Sequence, residues 1–175
     1  MPESDRRLTW WQGLIFLAVA ALVVVLDFIS KEWVRSHIPP GGSLPEIGRL
    51  TIVHVQNSGA AFGIFTNQAV LLSLVAIAGL VVVLVFLKYL SEVGFAGGIA
   101  LSLVFAGALG NLIDRLRFGV VTDFIYVRLW GDVFWPAFNV ADSAITLGAL
   151  SLAIIALVNL RKKDAARAGT GKAGD

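Results

Sequence analysis

The chain has 175 residues, of which 57% are hydrophobic, and its mean hydropathy is +0.82. About half apolar is usual for a soluble domain, so this composition indicates a membrane protein. The absence of cysteine excludes disulfides, cysteine–zinc sites and cysteine nucleophiles, and the small net charge of +2 argues against nucleic acid as a partner.

Four apolar segments are each long enough to cross a bilayer as a helix. They cover residues 11–33, 69–87, 93–112 and 137–160. Residues 1–163 are therefore predicted to form one membrane domain, and residues 164–175 a polar, disordered cytoplasmic tail. Pro136 stands just before the fourth segment, where a helix start tolerates proline.

Positive residues flank the first and last segments, which predicts that both ends of the chain are cytoplasmic. Two longer connections then lie on the outer side. Residues 50–56 (LTIVHVQ) and 120–130 (VVTDFIYVRLW) are rich in β-branched residues and are predicted to be strands, the second followed by a Gly-Asp turn. The predicted fold class is an all-α membrane protein with four transmembrane helices and a small extracytoplasmic β-element.

No metal site or organic cofactor is predicted. The two histidines, His37 and His54, do not have the spacing of metal ligands on a helix. His54 is expected to face water from the first predicted strand and to have no functional role.

Polar and ionisable side chains gather near the outer ends of the predicted spans. They are Asp27, Lys31, Asn57, Asn111, Asp114, Arg115, Asp123, Asn139 and Asp142. Charged groups at this depth are costly and usually mark function, so we expect one polar site that opens to the outer side and to the lipid. Small residues recur every fourth position in the third span and allow close helix packing. They are Gly94, Gly98, Ser102, Ala106 and Gly110, and the series leads into Asp114.

Asp123 and Asp142 are the candidate catalytic pair. Each lies in an apolar context, TDFIY or FNVADS, where two neighbouring carboxylates cannot both ionise cheaply. Two like unit charges about 4 Å apart repel by roughly 4 kcal/mol at an effective dielectric constant of 20. Such a pair shares one proton, so that the charged member can activate a water molecule while the protonated member polarises a carbonyl. This chemistry is general acid–base hydrolysis.

Structural interpretations of the same residues stay open at this point. Asp142 can be a helix cap, and Asp123 a surface residue of its strand. Asp27 and Lys31 are four positions apart on one helix face and can form a purely structural ion pair. Arg115 can be an anchor at the membrane interface.

Three other functions compete with an aspartic protease. A serine–lysine protease would use Lys31 with Ser58 or Ser143. A proton-coupled transporter would need polar groups on both sides of the bilayer midplane, and the cytoplasmic halves of the spans lack them. A structural membrane subunit would leave the polar cluster without an explanation.

Five motifs in order resemble the lipoprotein signal peptidase family, also called signal peptidase II, over nearly the whole chain. They are DFISK (27–31), NSGAAF (57–62), GNLIDR (110–115), VTDF (121–124) and FNVAD (138–142). The resemblance implies an intramembrane aspartyl endopeptidase whose catalytic residues are Asp123 and Asp142. It implies that the substrate-binding or supporting residues are Asp27, Lys31, Asn57, Gly59, Asn111, Asp114, Arg115 and Asn139.

The resemblance also implies the partners of the site. The substrate would be a bacterial prolipoprotein whose lipobox cysteine already carries diacylglycerol, cleaved just before that cysteine to release the signal peptide. The enzyme would lie in the cytoplasmic (inner) membrane in contact with lipid, with its active site near the outer face. Cyclic peptides such as globomycin would inhibit it, and no cofactor would be required.

Overall fold

The computed structural model describes residues 10–45, 47–59, 68–87 and 90–171. In chain order, they form the elements α1 (Trp10–His37), β1 (Leu50–Asn57), α2 (Ala69–Phe86), α3 (Leu90–Phe118), β2 (Val121–Trp130), β3 (Val133–Phe138) and α4 (Val140–Gly171). Each of the four helices is long and apolar enough to cross a membrane, and the strands form one small sheet. The predicted fold class is confirmed. The first nine residues, residues 60–62 of the NSGAAF segment and residues 172–175 lie outside this description.

The third helix is the centre of the bundle. In its apolar stretch 56% of the residues are buried, against 11–17% in the other three helices, and α3 packs against each of them. Its small residues allow this close approach. Ser102 and Ala106 are fully buried, and a Cβ added at Gly110 would lie 2.6 Å from Asp27 Oδ2 of α1. The predicted ridge of small residues therefore brings helices together at Ser102, Ala106 and Gly110, whereas a Cβ added at Gly94 would meet nothing within 4 Å.

Two glycines set the limits of the third transmembrane segment. At Gly94 the backbone has a φ of 70°, which breaks the helical path, and the apolar segment that can cross a membrane runs from Gly94 to Phe118. At the other end Gly119 has a φ of 73°, and its N–H donates to Arg115 O at 2.9 Å, as in an αL helix cap. The helix thus continues past the predicted end at residue 112, because no glycine or proline intervenes before Gly119.

The sheet has three antiparallel strands in the order β1-β2-β3, and the third strand corrects the sequence prediction. Residues 137 and 138, assigned above to the fourth span, belong to β3, and α4 begins only at Val140. Pro136 lies inside β3 and not at a helix start. Because β3 is an edge strand, it tolerates a residue that has no N–H to donate.

The prediction that His54 faces water is wrong. His54 is 3% exposed, and its Nδ1 lies 2.6 Å from Ile38 O. The connection after α1 folds back over β1, since Gly41 N–H donates to His54 O at 2.8 Å and His54 N–H donates to Gly42 O at 3.0 Å. Beside it, Val34 and Ile38 pack on Phe124 of β2 and join α1 to the sheet.

The last helix is longer than predicted. The apolar stretch of α4 ends at Lys162, but the helix itself continues to Gly171. Residues 164–171 are therefore helical where a disordered tail was expected. This segment contains no proline, and it includes alanines, which favour continuation of a helix.

Candidate active site

The first turn of α4 is closed by two reciprocal hydrogen bonds between Asn139 and Asp142. Asn139 Oδ1 accepts the Asp142 backbone N–H at 2.9 Å, and Asp142 Oδ2 accepts the Asn139 backbone N–H at 3.2 Å. This arrangement is a capping box, which gives partners to N–H groups that a helix start would otherwise leave free. The side chain of Asp142 also lines a cavity. Asp142 is therefore part of the capping box of α4, and it also lines the cavity where a substrate could reach it.

Asp123 is buried in β2, with 2% of its surface exposed, so it is not a surface residue of its strand. Both of its carboxylate oxygens accept hydrogen bonds from amides. Asn57 Nδ2 donates to Oδ2 at 2.8 Å, and Asn139 Nδ2 donates to Oδ1 at 2.7 Å. Asn57 reaches this position because Val55 is paired with Asp123 across β1 and β2, and residues two apart share a face of a strand.

Two asparagines connect the two carboxylates. Asn139 binds Asp123 through its side chain and Asp142 through its backbone. Asn111 Nδ2, on α3, donates to Asp142 Oδ1 at 2.7 Å, and Asn111 Oδ1 accepts Asn139 Nδ2 at 3.2 Å. The structure therefore brings Asp123 and Asp142 into one hydrogen-bonded network on the wall of one cavity.

The two carboxylates have different electrostatic environments. Burial, and secondly the negative charge of Asp142, raise the pKa of Asp123 from 3.8 to about 7. The hydrogen bonds from Asn57 and Asn139 act in the opposite direction, because amide donors stabilise the charged form. Near neutral pH, Asp123 can therefore hold a proton.

Buried charges behind the pair join α1 to α3 and α4. Lys31 Nζ lies 2.7 Å from Asp27 Oδ2 and 3.6 Å from Asp114 Oδ2, and it donates to Asn111 Oδ1 at 3.0 Å. Asp27 Oδ1 accepts the Ala141 backbone N–H at 2.9 Å, which provides a partner for another N–H at the start of α4. Asp27 and Lys31 do form an ion pair, and that pair also holds the asparagine that binds Asp142.

Gly59 and Arg115 form another part of the cavity wall. Asn57 Oδ1 accepts the Gly59 N–H at 2.9 Å, and Arg115 Nη2 donates to Gly59 O at 3.2 Å. The turn after β1 is thereby tied to the end of α3. Arg115 lines the same cavity as the two aspartates and is not simply an anchor at the membrane surface.

The cavity itself has a volume of about 1180 Å³, slightly larger than a typical site for a small ligand. Its polar side contains Asp123 and Asp142. Its apolar side includes Val121, Phe138, Ile145 and Leu147. Leu147 is 59% exposed on α4, so the cavity borders a surface that would face lipid. The site combines paired carboxylates with an apolar approach from the bilayer.

The arrangement does not support a serine–lysine pair. Ser58 and Ser143 line the cavity, but Ser143 Oγ donates to Asn139 O at 3.0 Å. Lys31 is 1% exposed, is held by Asp27 and Asn111, and is not among the described residues that line the cavity. A nucleophilic serine requires a hydrogen-bonded base, and the described contacts of Lys31 lie elsewhere.

Arg35 and Thr122 take part in the site although the sequence analysis did not select them. Arg35 Nη1 donates to Thr122 Oγ1 at 2.7 Å and to Asp114 Oδ1 at 3.1 Å. A signal was present in the sequence, because Asp27, Lys31 and Arg35 recur at four-residue intervals and so share one face of α1.

The comparisons with known proteins agree on one family. The family model described as signal peptidase (SPase) II matches residues 19–158. A protein named lipoprotein signal peptidase from Moorella thermoacetica is 42% identical over 140 residues, which cover 78% of this chain and 89% of that protein. A protein of the same name from Dehalococcoides mccartyi (strain CBDB1) is 38% identical over 152 residues, or 85% of this chain and 92% of that protein.

Solved structures show the same architecture. One, described as a bacterial membrane enzyme at 2.3 Å resolution, superposes with a TM-score of 0.77 at 32% identity and covers 85% of this chain and 91% of its own. A second, described as a bacterial membrane enzyme at 1.9 Å resolution, has a TM-score of 0.70 at 34% identity and covers 82% of this chain and 92% of its own.

Proposed function

Because this chain belongs to the signal peptidase II family, we propose that Asp123 and Asp142 are the two residues that carry out its aspartic-type hydrolysis. The observation that carries this assignment is the position of Asn139, which binds Asp123 through its side chain and Asp142 through its backbone. Both carboxylates lie at the wall of a cavity large enough for a peptide.

In the proposed reaction Asp123 begins protonated and Asp142 begins charged. Asp142 takes a proton from a water molecule, and the resulting hydroxide attacks the carbonyl carbon of the scissile bond. Asp123 donates its proton to the carbonyl oxygen, which gives a tetrahedral diol. Asp142 then transfers its proton to the leaving nitrogen as the C–N bond breaks, and the proton of one hydroxyl returns to Asp123.

The supporting residues are proposed to hold Asp123 and Asp142 in a fixed position relative to each other. Asn57 and Asn139 orient Asp123, and Asn111 orients Asp142, through the hydrogen bonds described above. Asp27 and Lys31 hold Asn111 and the start of α4. Asp114 is proposed to anchor β2 by accepting the Thr122 N–H. Arg115 and Gly59, which bind each other, are proposed to bind the substrate backbone beside the two aspartates.

We propose that the substrate is a prolipoprotein that carries diacylglycerol on its lipobox cysteine. Such a substrate has an apolar signal helix and two acyl chains in the bilayer, with its scissile bond near the membrane surface. The apolar wall of the cavity, which contains Ile145 and Leu147, continues onto the exposed surface of α4 and suits that geometry. Globomycin-type cyclic peptides would occupy the same cavity.

The multi-pass protein lies in the inner membrane, and we propose that both of its ends are cytoplasmic and that the active site is near the outer face. The apolar stretch of α4 ends in two basic residues, Arg161 and Lys162. The polar cluster lies at the opposite end of the helices, since it joins the last part of α1 to the first turn of α4. A transporter would need polar groups on both sides of the bilayer midplane.

A cleavage assay in detergent tests this proposal. Purified protein is offered a diacylglyceryl-modified prolipoprotein and the same precursor without lipid, and products are separated by gel shift. We expect cleavage of the lipidated precursor only, lost in Asp123→Asn and in Asp142→Asn while both variants stay folded. Cleavage that survives in either variant would remove that aspartate from the mechanism. Ser58→Ala and Ser143→Ala are controls that should remain active.

A further inference from the structure

We propose that Arg35 is a positioning residue for Asp123, acting through Thr122 and Asp114. This inference rests on the proposed function, because it assumes that Asp123 is catalytic. Arg35 does not line the cavity in the described structure, so its contribution would be indirect.

The guanidinium of Arg35 joins α1 to α3 and to β2. Nη1 donates to Thr122 Oγ1 at 2.7 Å, to Asp114 Oδ1 at 3.1 Å and to Asp114 Oδ2 at 3.3 Å. Asp114 Oδ2 in turn accepts the Thr122 backbone N–H at 2.9 Å. Thr122 and Asp114 are each only 2% exposed, so water cannot easily replace these bonds. Arg35, Asp114 and Thr122, from three elements, therefore form one closed and largely buried cluster, the clamp.

The clamp acts on the residue next to Asp123. Thr122 is held at its hydroxyl by Arg35, at its N–H by Asp114 and at its carbonyl by Asn139 Nδ2, which lies 3.4 Å away. Neighbouring residues of a strand point to opposite faces, so fixing Thr122 on the face toward α1 fixes the direction of Asp123 on the other face. Loss of the clamp would allow Asp123 to move relative to Asp142, and small displacements of catalytic groups are costly in rate.

Arg35 also balances charge beneath the site. Among the described residues, Asp114 forms ion pairs with Arg35, at 3.1 Å, and with Lys31, at 3.6 Å, but Lys31 lies closer to Asp27, at 2.7 Å. Without Arg35, the described ion pairs of Asp114 and Asp27 would both depend on the one ammonium group of Lys31. Asp114 would then be drawn toward Lys31 and away from Thr122.

Arg117 is a matched control within the same surface group. Arg35 and Arg117 both bind Glu32 Oε1, at 3.1 Å and 2.7 Å, and both guanidinium groups lie over the ring of Phe118. Of these two arginines, only Arg35 has a described contact with Thr122 or Asp114. A comparison of the two arginines therefore separates the clamp from the general effect of removing a cation from this surface.

The test is a kinetic comparison of Arg35→Met, Arg117→Met, Thr122→Val and Thr122→Ser, with the double variant Arg35→Met/Thr122→Val. Initial rates on the lipidated precursor give kcat and KM, and thermal unfolding in detergent checks the fold. We expect Arg35→Met to lower kcat by about 10- to 100-fold with little change in KM. Thr122→Val should lower kcat by a smaller factor, and Thr122→Ser and Arg117→Met should stay near wild type.

The double variant should be no slower than Arg35→Met, because both changes remove the same bond. Equal kcat for wild type and Thr122→Val, or equal losses in Arg35→Met and Arg117→Met, would overturn the inference. If Arg35→Met does not fold, the two Thr122 variants decide it. Wild-type cleavage that is lost in Asp142→Asn, measured alongside, keeps a failure of this inference distinct from a failure of the proposed function.

Discussion

Asn139 Nδ2 lies 2.7 Å from Asp123 Oδ1, and Asn139 is fully buried at the point where β3 ends and α4 begins. The same residue caps the helix that carries Asp142. We predict that Asn139→Ala lowers cleavage by at least about 100-fold, as expected for loss of a preorganised donor. It should also lower the free energy of unfolding by roughly 1–3 kcal/mol, because polar partners lose their bonds.

Ser143→Ala is the matched control, since Ser143 lines the same cavity and donates to Asn139 O. It should change the cleavage rate by no more than about threefold. Both variants are compared by gel-shift cleavage and thermal unfolding. A large loss in Ser143→Ala with an active Asn139→Ala would reverse the assignment of roles.

The rate of cleavage should fall as the pH rises above neutrality. Burial and the charge of Asp142 raise the pKa of Asp123 to about 7, and the proposed mechanism requires Asp123 to carry a proton. Above that pKa, kcat/KM for the free enzyme should fall about tenfold per pH unit. Initial rates between pH 5 and pH 9 check this expectation. A flat profile up to about pH 9 would contradict a proton on Asp123.

Stability should depend on pH through the same group. The folded-state pKa of about 7 lies above the usual 3.8, so Asp123 favours folding when protonated. Its stabilising contribution is fully present below about pH 4 and is lost as the pH rises through about 7. Asp123→Asn removes the buried charge but can accept only one of the two amide hydrogen bonds, so its unfolding temperature relative to wild type should rise between pH 4 and pH 8.

The size of that difference has an upper limit. The shift from 3.8 to about 7 corresponds to roughly 4 kcal/mol at 1.36 kcal/mol per unit. The pH-dependent part of the difference between Asp123→Asn and wild type should vanish toward pH 4, where both side chains are neutral. Unfolding temperatures measured at several pH values test this, and a difference that does not change between pH 4 and pH 8 would show that burial does not destabilise the carboxylate.

Close packing of α1 on α3 should make Gly110 intolerant of a side chain. A Cβ at Gly110 would lie 2.6 Å from Asp27 Oδ2, whereas one at Gly79 in α2 would meet nothing within 4 Å. We expect Gly110→Ala to lower the free energy of unfolding by about 1–3 kcal/mol and to reduce cleavage, because Asp27 must move. Gly79→Ala should leave both unchanged or raise stability slightly. Equal effects of the two substitutions would contradict the packing.

The absence of cysteine makes the proposed topology easy to test. Ile47, in the connection between α1 and β1, is 82% exposed, and Lys162 lies at the far end of the apolar part of α4. In intact cells, a membrane-impermeant maleimide should label Ile47→Cys from the outer side and should label Lys162→Cys only after the membrane is opened. The opposite pattern would invert the orientation.

The sequence was most informative where physical constraints are strict. A bilayer-spanning helix needs about 20 apolar residues, so the four helices could be predicted from the sequence. The structure also brings together the polar residues near the span ends, because a charge in a membrane is costly unless it is paired. Asp27, Lys31 and Asn111 meet as one group for that reason.

Predictions failed where short-range and long-range effects compete. The segment VFWPAF is apolar and adjoins a span, so part of it was assigned to the helix, whereas pairing with β2 makes it a strand. His54 is buried by a connection that folds over it from residues 39–44, which no local pattern reveals. Arg35 was not selected from the sequence, because its partners Asp114 and Thr122 are distant in sequence.

The capping box at the start of α4 has a consequence for how the enzyme is made. Asn139 and Asp142 lie at the start of α4, which emerges after the other three described helices during synthesis, and Asp27 must meet the Ala141 N–H to hold that helix in place. A nascent chain with three helices in the membrane has Asp123 but neither Asp142 nor the asparagine that joins them. On the proposed assignment of the catalytic pair, the site is therefore assembled only when α4 has packed against α1.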